Sequence, residues 1–253
     1  MNSNIIAISN QKGGEGKTTI SLLISDALSK NNKVLLVDWD PQANATKTFI
    51  QNVEKSIYDT LGYRSQKKIQ FSRILIKINQ NLHLAPASIS LANFTTPFER
   101  DDFDRLKEVL DKERKNYDYI IIDCPPSLGL GLENALISAD YIIIPVQSRA
   151  FSIQGLKDLS ETIKKIKLKA NKNLILLGAI LNQFEGNRAL SGISNSIKKY
   201  FPVFETVINK KESIPQSQAR KKLLNGCDKE TKENFYKLAL EILEKINVKK
   251  TGI

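Results

Sequence analysis

Residues 11–19, with the sequence QKGGEGKTT, combine the residue types that bind phosphate. They lie between a short apolar run at residues 5–8 and a helical pattern of apolar residues that begins near Lys17. Glycines leave the backbone N–H groups of a loop unobstructed, and the helix that follows directs the positive end of its dipole at the loop. This order of strand, loop and helix predicts a phosphate cradle in which Lys17 contacts the β- and γ-phosphates and Thr18 binds Mg²⁺. The alternative, a glycine-rich turn without a ligand, is disfavoured by the specificity of the pattern.

The loop departs from the ordinary phosphate-loop pattern at its first position, where Gln11 replaces a glycine. A second lysine, Lys12, follows directly. Because Lys17 already serves the phosphates of its own loop, Lys12 could reach a nucleotide that is bound by a second copy of the chain.

Two further strand patterns end in carboxylates. The apolar run at residues 34–37 leads into Asp38 and Asp40, and the run at residues 119–122 leads into Asp123, which a Pro-Pro turn follows. Ligands bind at the carboxyl ends of parallel strands, so we expect these acids near the phosphate loop. Asp38 and Asp40 point to opposite sides of an extended backbone and therefore have different roles. Asp123 is placed to hold a Mg²⁺-bound water. The alternative for the first pair is that strand-end acids cap the next helix.

Length, composition and charge narrow the class of protein. A chain of 253 residues with 41% hydrophobic residues buries a sizeable core, and we expect one domain over residues 1–253. Residues 151–253 carry 20 Lys and Arg against 10 Asp and Glu, whereas residues 1–150 carry 18 against 17. Such asymmetry indicates a surface that meets nucleic acid or anionic lipid, and the alternative is a solvated lysine-rich face. The two cysteines have no CxxC spacing, and no run of apolar residues is long enough to predict a membrane span or signal peptide.

The order of predicted elements indicates the fold. Apolar strands alternate with helical patterns along most of the chain; the later ones include strands at residues 141–146, 174–182 and 203–208 and a helix around residues 187–200. We therefore expect an α/β fold with a doubly wound, mostly parallel sheet and helices on both faces, as in P-loop NTPases. Residues 51–114 are less informative, with short helical patterns that include residues 72–76 and a charged helix over residues 99–115. The last helix is predicted over residues 232–246, with its apolar face in the core.

Three segments together resemble one family. The segment KGGEGKTT resembles the deviant Walker box of the ParA/MinD ATPases, DWDPQANAT resembles the first switch of the ParA family, and DCPPSLG resembles its second switch. The resemblance covers nearly the whole chain and is greatest to ParA/Soj-type partition ATPases of the short kind.

The resemblance implies a set of site residues. Lys12, Lys17 and Asp40 would be catalytic, with Lys12 crossing the dimer interface and Asp40 positioning the attacking water. Thr18, Asp38 and Asp123 would support Mg²⁺. The nucleotide-binding residues would be Lys12, Gly13, Gly14, Glu15, Gly16, Lys17, Thr18, Thr19, Asn182 and Pro215, the last two on the side of the base. The DNA-contacting cations would be Lys210, Lys211, Arg220, Lys221 and Lys222.

The implied function is that of a cytoplasmic, nucleoid-associated ATPase with ATP and Mg²⁺ as cofactors. Two subunits would enclose their nucleotides, bind DNA without sequence preference, and release it on hydrolysis stimulated by a ParB-like protein that binds a centromere. Such a cycle would segregate plasmid or chromosome copies. No membrane partner is expected.

Two alternatives belong to other classes. A MinD-like membrane-cycling ATPase would insert its last helix into lipid, but Glu233, Glu241 and Glu244 on that helix oppose binding to anionic lipid. A DNA-binding scaffold without turnover would not need Asp40. Glu15 departs from the family pattern, because a carboxylate near a triphosphate would repel it, and we expect its side chain to point away from the phosphates into the dimer interface.

Overall fold

Continuous apolar runs predict strands that are covered on both faces, and the computed structural model of the chain has such strands at its centre. It describes residues 3–94, 97, 100–147, 153–184 and 190–251. The strands in this part are β1 (Asn4–Ile8), β2 (Val34–Asp38), β3 (Ile76–Lys77), β4 (Leu82–Ala85), β5 (Tyr119–Asp123), β6 (Tyr141–Gln147), β7 (Ile175–Phe184) and β8 (Ile208–Asn209).

These eight strands form one sheet in the order β3-β4-β2-β5-β1-β6-β7-β8. All neighbouring pairs are parallel except β3 and β4, so the expectation of a mostly parallel sheet is confirmed. β1 pairs with β5 on one side and with β6 on the other. Strand β5 lies between β1 and β2. The segments that follow β1, β2 and β5 therefore lie next to one another at the carboxyl ends of these strands.

Helices cover both faces of this sheet. The α-helices of the described part are α1 (Lys17–Ser29), α2 (Asn44–Lys47), α3 (Tyr58–Leu61), α4 (Arg105–Glu113), α5 (Leu130–Ser138), α6 (Ile153–Lys169), α7 (Leu190–Lys198), α8 (Ser213–Ala219) and α9 (Lys229–Thr251). Short 3₁₀ helices span Tyr63–Ser65, Phe71–Arg73, Ile89–Asn93, Arg100–Phe103 and Leu223–Gly226.

Alternation along each strand divides the core into two layers. In β1, Ile5 and Ala7 face the layer formed with α4, α5, α6 and α7, whereas Ile6 and Ile8 face the layer formed with α1 and α9. The doubly wound α/β arrangement is therefore confirmed.

The last helix packs as the sequence predicts. Its residues Phe235, Leu238 and Ile242 are fully buried, because α1 lies against that face. Leu240 faces outward and is 61% exposed. No helix in the described ranges is long and apolar enough to cross a membrane.

Three predictions of local structure were wrong. The segment over residues 72–76 contains the end of a 3₁₀ helix and the first residue of β3, not a helical turn of its own. The strand over residues 203–208 is reduced to β8 and an isolated bridge between Val203 and Ala179. Helix α5 was missed, because it is buried on nearly all sides and therefore lacks the amphipathic pattern by which surface helices are recognised.

One helix boundary also differs, and the start of another helix lies outside the described residues. The charged helix expected over residues 99–115 is α4, preceded by the 3₁₀ helix at Arg100–Phe103, and its first predicted residue lies outside the described ranges. The helix expected from residue 187 is described only from Leu190.

Candidate nucleotide-binding site

The phosphate loop connects β1 to α1 at the carboxyl edge of the sheet. Gly14 and Gly16 have φ angles of +85° and +82°, which favour glycine. A Cβ atom at Gly16 would also overlap the side-chain amide of Asn182, which approaches the loop from the end of β7. Helix α1 begins at Lys17, and the N–H of Ile20 donates to the carbonyl oxygen of Gly16 at 2.9 Å. The loop is thus shaped for close approach of an anion to backbone N–H groups.

Lys17 is buried inside this loop. Its Nζ donates to the carbonyl oxygen of Lys12 at 3.0 Å. Burial lowers the pKa of Lys17, and the carboxylates of Asp123 and Asp40 oppose that shift. The Lys17 ammonium has therefore lost part of its hydration, and an anionic ligand beside it would stabilise its charged form.

A cavity of about 510 Å³ opens beside the loop. It brings together residues from the loop, from α1 and from the segments that follow β2 and β5. Its lining residues are Gly13, Gly14, Gly16, Lys17, Thr18, Thr19, Leu22, Asp40, Gln42, Asn44, Thr48, Pro126, Gln183 and Gln218. Most of the residues expected around the phosphates therefore line one space.

Asp38 and Asp123 lie opposite each other at the ends of β2 and β5 and are both buried. Burial raises the pKa of the Asp123 carboxyl, and the charge of Asp38 raises it further. One oxygen of Asp123 accepts from Ser21 Oγ at 3.1 Å, whereas Oδ2 is buried without a hydrogen-bond partner in the described part of the chain. A buried carboxylate oxygen without a donor fits a site for Mg²⁺ or for a water that Mg²⁺ holds.

Asp38 is already engaged by protein donors. Its Oδ2 accepts from the N–H and from the hydroxyl of Thr46, each at 2.7 Å, and its Oδ1 accepts from the N–H of Asp40 at 3.3 Å. The Thr46 hydroxyl in turn accepts from the N–H of Ala87 at 2.9 Å. Asp38 therefore anchors the first turn of α2, which matches the helix-capping alternative, and any support that it gives to Mg²⁺ is additional.

Asp40 has a different environment from Asp38, as their opposite directions predict. Its side chain lines the cavity and is 7% exposed, and its Oδ1 accepts from the N–H of Gln42 at 2.9 Å. The carboxylate therefore faces the space where the γ-phosphate would lie.

Glu15 does point away from the cavity, but its expected position in a dimer interface was wrong. The side chain is 2% exposed within the single chain, and its Oε2 accepts from the N–H of Gln147 at 2.6 Å. The Gln147 side-chain amide donates to the Gly14 carbonyl, and the Asn182 amide donates to the Glu15 carbonyl at 3.0 Å. Glu15 thus fastens the loop to the ends of β6 and β7, and burial raises its pKa.

Lys12, in contrast, is exposed at the loop entrance, where its N–H donates to Asn10 Oδ1 at 3.2 Å. This exposure is compatible with a contact to a second subunit.

A second cavity of about 190 Å³ adjoins the first on the side of α8. Asn182 and Pro215, the residues expected near the base, both line it. Thr19 and Gln218 line both cavities, and Gln218 Nε2 donates to Thr19 Oγ1 at 3.5 Å. Gln183 also lines both cavities, and these three shared residues join the space expected for the phosphates to the space expected for the nucleoside.

The five cations expected to contact DNA lie directly before and directly after α8, and we call them the α8 cations. Lys211 forms an ion pair with Glu230 at 2.6 Å, and Lys221 Nζ donates to the carbonyl oxygen of Phe49 at 2.7 Å. Arg220 and Lys222 are exposed. Lys210 is exposed and also lines the second cavity.

Some residues of the site escaped the sequence analysis. Gln147, Gln183 and Gln218 are polar residues at strand ends or on a short helix, and a polar residue after an apolar run was the available signal for the first two. Ser21 was detectable as the residue one helical turn after Lys17. Thr46 belongs to the DWDPQANAT segment, but its bond to Ala87 could not be predicted, because Ala87 is distant in sequence.

Taken together, a glycine loop between β1 and α1, a buried lysine and strand-end acids define a P-loop nucleotide-binding protein of the α/β class. Comparison with known proteins agrees with that class. The model of a family described as an AAA domain matches residues 3–176. The sporulation initiation inhibitor protein Soj of Bacillus subtilis is 36% identical over 251 residues, which cover 94% of this chain and 97% of Soj.

Solved structures agree as well. Cobyrinic acid a,c-diamide synthase from Mycobacterium smegmatis, with bound ADP and magnesium, matches with a TM-score of 0.84 and 26% identity over 99% of this chain and 97% of that one. BB_S35 from Borrelia burgdorferi B31, assigned to plasmid partition and bound to AMPPNP, matches with a TM-score of 0.78 and 31% identity over 98% and 99%. This chain belongs to the AAA-domain family that its residues 3–176 match, and within it to the ParA/Soj-type partition ATPases.

The anchoring role of Thr46 is testable by Thr46→Val. The change leaves the N–H of Ala87 without its buried acceptor and removes one of the two donors to Asp38 Oδ2, so we expect a loss of about 2 kcal/mol in the free energy of unfolding. Urea unfolding measures it. Thr48→Val is the matched control, because the Thr48 hydroxyl donates to Asn44 at 3.2 Å at an exposed position. Equal losses in the two variants would contradict the anchoring role.

The burial of Glu15 predicts a pH-dependent effect of Glu15→Gln. A raised pKa means that the folded state binds the proton more tightly than the unfolded state, so this group lowers stability as the pH rises through that range. The gain in unfolding free energy from Glu15→Gln should therefore be larger at about pH 8 than at about pH 4. Thermal unfolding across this range measures it, with Glu212→Gln as the control outside the loop. A pH-independent difference for Glu15→Gln would mean that the carboxylate is not buried.

Proposed function

We propose that this chain, as a single domain over residues 1–253, binds and hydrolyses ATP and uses the nucleotide to control its attachment to DNA. The observation that carries the proposal is that Lys17, Thr18 and Asp40 line one cavity beside the glycine loop. The first two residues bind phosphate and Mg²⁺ in P-loop proteins, and hydrolysis needs a residue that orients water at the γ-phosphate, a role that the Asp40 carboxylate can fill. The complete set favours turnover over a DNA-binding scaffold without hydrolysis.

The chain's own residues would act as follows. Backbone N–H groups from Gly13 to Thr19 hold the phosphate oxygens, and Lys17 exchanges the carbonyl of Lys12 for the β- and γ-phosphates. Asp40 accepts a hydrogen bond from the attacking water and orients it toward the γ-phosphorus, so that ADP and phosphate are formed. Mg²⁺ held by Thr18, with Asp123 and Asp38 around it, would neutralise phosphate charge.

We further propose that the active form is a homodimer in which Lys12 reaches the nucleotide of the second subunit. Lys12 is exposed, and Lys17 already serves the loop's own phosphates. Association in this way doubles the number of cations that face one duplex, and DNA binding thereby becomes dependent on ATP. A ParB-like protein that binds a centromere would stimulate hydrolysis and release the DNA.

Among the cations, the α8 cations are the better candidates for contacts controlled by nucleotide. Helix α8 contributes Gln218 to the phosphate cavity and contacts Thr19 there, so a nucleotide can bias its position. A second group, which we call the α6–α7 lysines, lies on exposed positions and forms no ion pair with a described residue; it contains Lys157, Lys164, Lys165, Lys167, Lys169, Lys172, Lys198 and Lys199. The members of this group at the ends of α6 and α7 lie toward the amino ends of the strands. Each of these helices starts near the carboxyl end of one parallel strand and runs back along the sheet.

The membrane-cycling alternative is less well supported. The apolar face of α9 that would have to enter lipid packs against α1 instead. A cytoplasmic, nucleoid-associated protein that segregates plasmid or chromosome copies accounts best for the basic charge and the family.

The catalytic assignment is tested with purified protein, ATP and Mg²⁺. Asp40→Ala should bind ATP as the unchanged chain does and lose about 100-fold in turnover, because only the orientation of water is removed. Lys12→Ala should retain nucleotide binding by the monomer and lose dimer formation with ATP, with Lys172→Ala as the control. Phosphate release and size-exclusion chromatography measure these effects. Unchanged turnover in Asp40→Ala would contradict the proposed hydrolysis.

The DNA assignment is tested with a non-specific duplex, measured with ATP, with ADP and without nucleotide at two salt concentrations. We expect binding with ATP only, weakened steeply by salt, since phosphate contacts release counterions. Arg220→Gln with Lys222→Gln should abolish it, whereas Lys164→Gln with Lys165→Gln removes the same charge and should leave it. The opposite order would assign the contact to the α6–α7 lysines. Binding that is equal in all nucleotide states would contradict nucleotide control.

A further inference from the structure

Trp39 lies between the two acids of the first switch segment and contacts the second segment at two points. Its backbone N–H donates to the carbonyl oxygen of Asp123 at 3.0 Å, and its indole Nε1 donates to the carbonyl oxygen of Gly131 at 2.7 Å. The first bond extends the pairing of β2 with β5 by one residue beyond the strands. The second joins the same residue to the first turn of α5.

These two bonds hold both ends of one loop. The loop runs from Cys124 to Leu130, and its middle, Ser127 to Gly129, is exposed. Its two prolines, Pro125 and Pro126, have no N–H group to donate, so the loop has few means of bonding to its surroundings. A cavity of about 100 Å³ lies beside the loop and is lined by Trp39, Pro125 and Leu128 among others.

The indole itself is held rigidly. Trp39 is 1% exposed, and its ring meets Phe94 edge to face with centroids 5.8 Å apart. Phe94 in turn packs against Tyr63 at 4.9 Å. A carbonyl in the first turn of a helix accepts one bond from the N–H four residues later, and its second lone pair is available to the indole.

We propose that Trp39 is a positioning residue that fixes the loop after β5 relative to Asp40. Trp39 and Asp40 are neighbours in the chain, so the position of the loop and that of the water-orienting carboxylate are set by the same side chain. The bonds of Trp39 lead to the last residue of β5 and to the first turn of α5 and not to the phosphate loop, and loss of the indole bond therefore changes turnover rather than nucleotide binding. This inference rests on the proposed ATP hydrolysis for its kinetic part only.

The kinetic test removes the indole donor while keeping an apolar ring. Trp39→Phe should lower kcat by about tenfold, the equivalent of one hydrogen bond, and leave KM for ATP within about twofold. Phe94→Leu is the matched control, because it removes the ring contact and leaves both bonds of Trp39 in place, and its kcat should stay near that of the unchanged chain. A Trp39→Phe variant with unchanged kcat, or with a changed KM only, would overturn the proposal.

The sequence contains a single tryptophan, which permits a change at the level of one atom. Biosynthetic replacement by benzothienylalanine keeps the bicyclic shape and removes the N–H, whereas 7-azatryptophan keeps the N–H. We expect the first to lose turnover as Trp39→Phe does and the second to retain most of it. Equal effects of the two analogues would assign the role to ring packing and overturn the proposal.

A measurement without ATP separates this inference from the proposed function. Amide hydrogen exchange of residues 124–131 in the nucleotide-free protein should be faster in Trp39→Phe and in the benzothienylalanine protein than in the unchanged chain. Exchange in β7 serves as the internal reference and should stay the same. Unchanged exchange of the loop would overturn the proposal even if the protein hydrolyses ATP, and faster exchange would support it even if the protein does not.

Discussion

Two buried carboxylates on neighbouring strands impose the constraint on which the rest of the site depends. The parallel register of β2 and β5 brings Asp38 and Asp123 side by side, where burial raises the pKa of both carboxyls and the charge of Asp38 raises the pKa of Asp123 further. The structure offsets this repulsion unequally. Asp38 receives three hydrogen bonds from its own segment, whereas Asp123 receives a hydroxyl and lies near the ammonium of Lys17. The Asp123 carboxylate is therefore less well stabilised than that of Asp38, and a cation bound to the phosphates would stabilise its charged form.

The loops around these acids are held by side chains that come from other strands. Glu15 and Gln147 fasten the phosphate loop to the end of β6, and Asn182 fastens it to the end of β7. Thr46 connects the first switch segment to the residues after β4 at Ala87. Each bond joins segments that are far apart in sequence, so the site is organised by the sheet and not by the local sequence. A rigid cradle of this kind places its N–H groups before a ligand arrives, which reduces the cost of ordering them on binding.

The basic residues of the chain form two groups, the α8 cations and the α6–α7 lysines, which lie at different distances from the phosphate loop. The α8 cations flank a helix that lines the phosphate cavity, whereas the ends of α6 and α7 lie toward the amino ends of the strands. Among the α8 cations, Lys211 pairs with Glu230 and Lys221 donates to a backbone carbonyl oxygen. A shift of α8 on nucleotide binding would break or change such contacts. Nucleotide binding could in this way alter which cations are available at the surface.

The sequence by itself determined the class of the protein. Glycines at residues 13, 14 and 16, a lysine and a threonine after them, and apolar strands that end in Asp38 and Asp123 predict a phosphate site at the edge of a parallel sheet, because spacing and residue type alone specify it. Only the tertiary structure decided where Glu15 points, that Asp38 anchors α2 through Thr46, and that Trp39 joins two loops. Those outcomes depend on contacts between segments from 8 to more than 130 residues apart. Helix α5 was not recognised, and the strand that ends in β8 was predicted too long, for the same reason, since burial against distant segments overrides the local pattern.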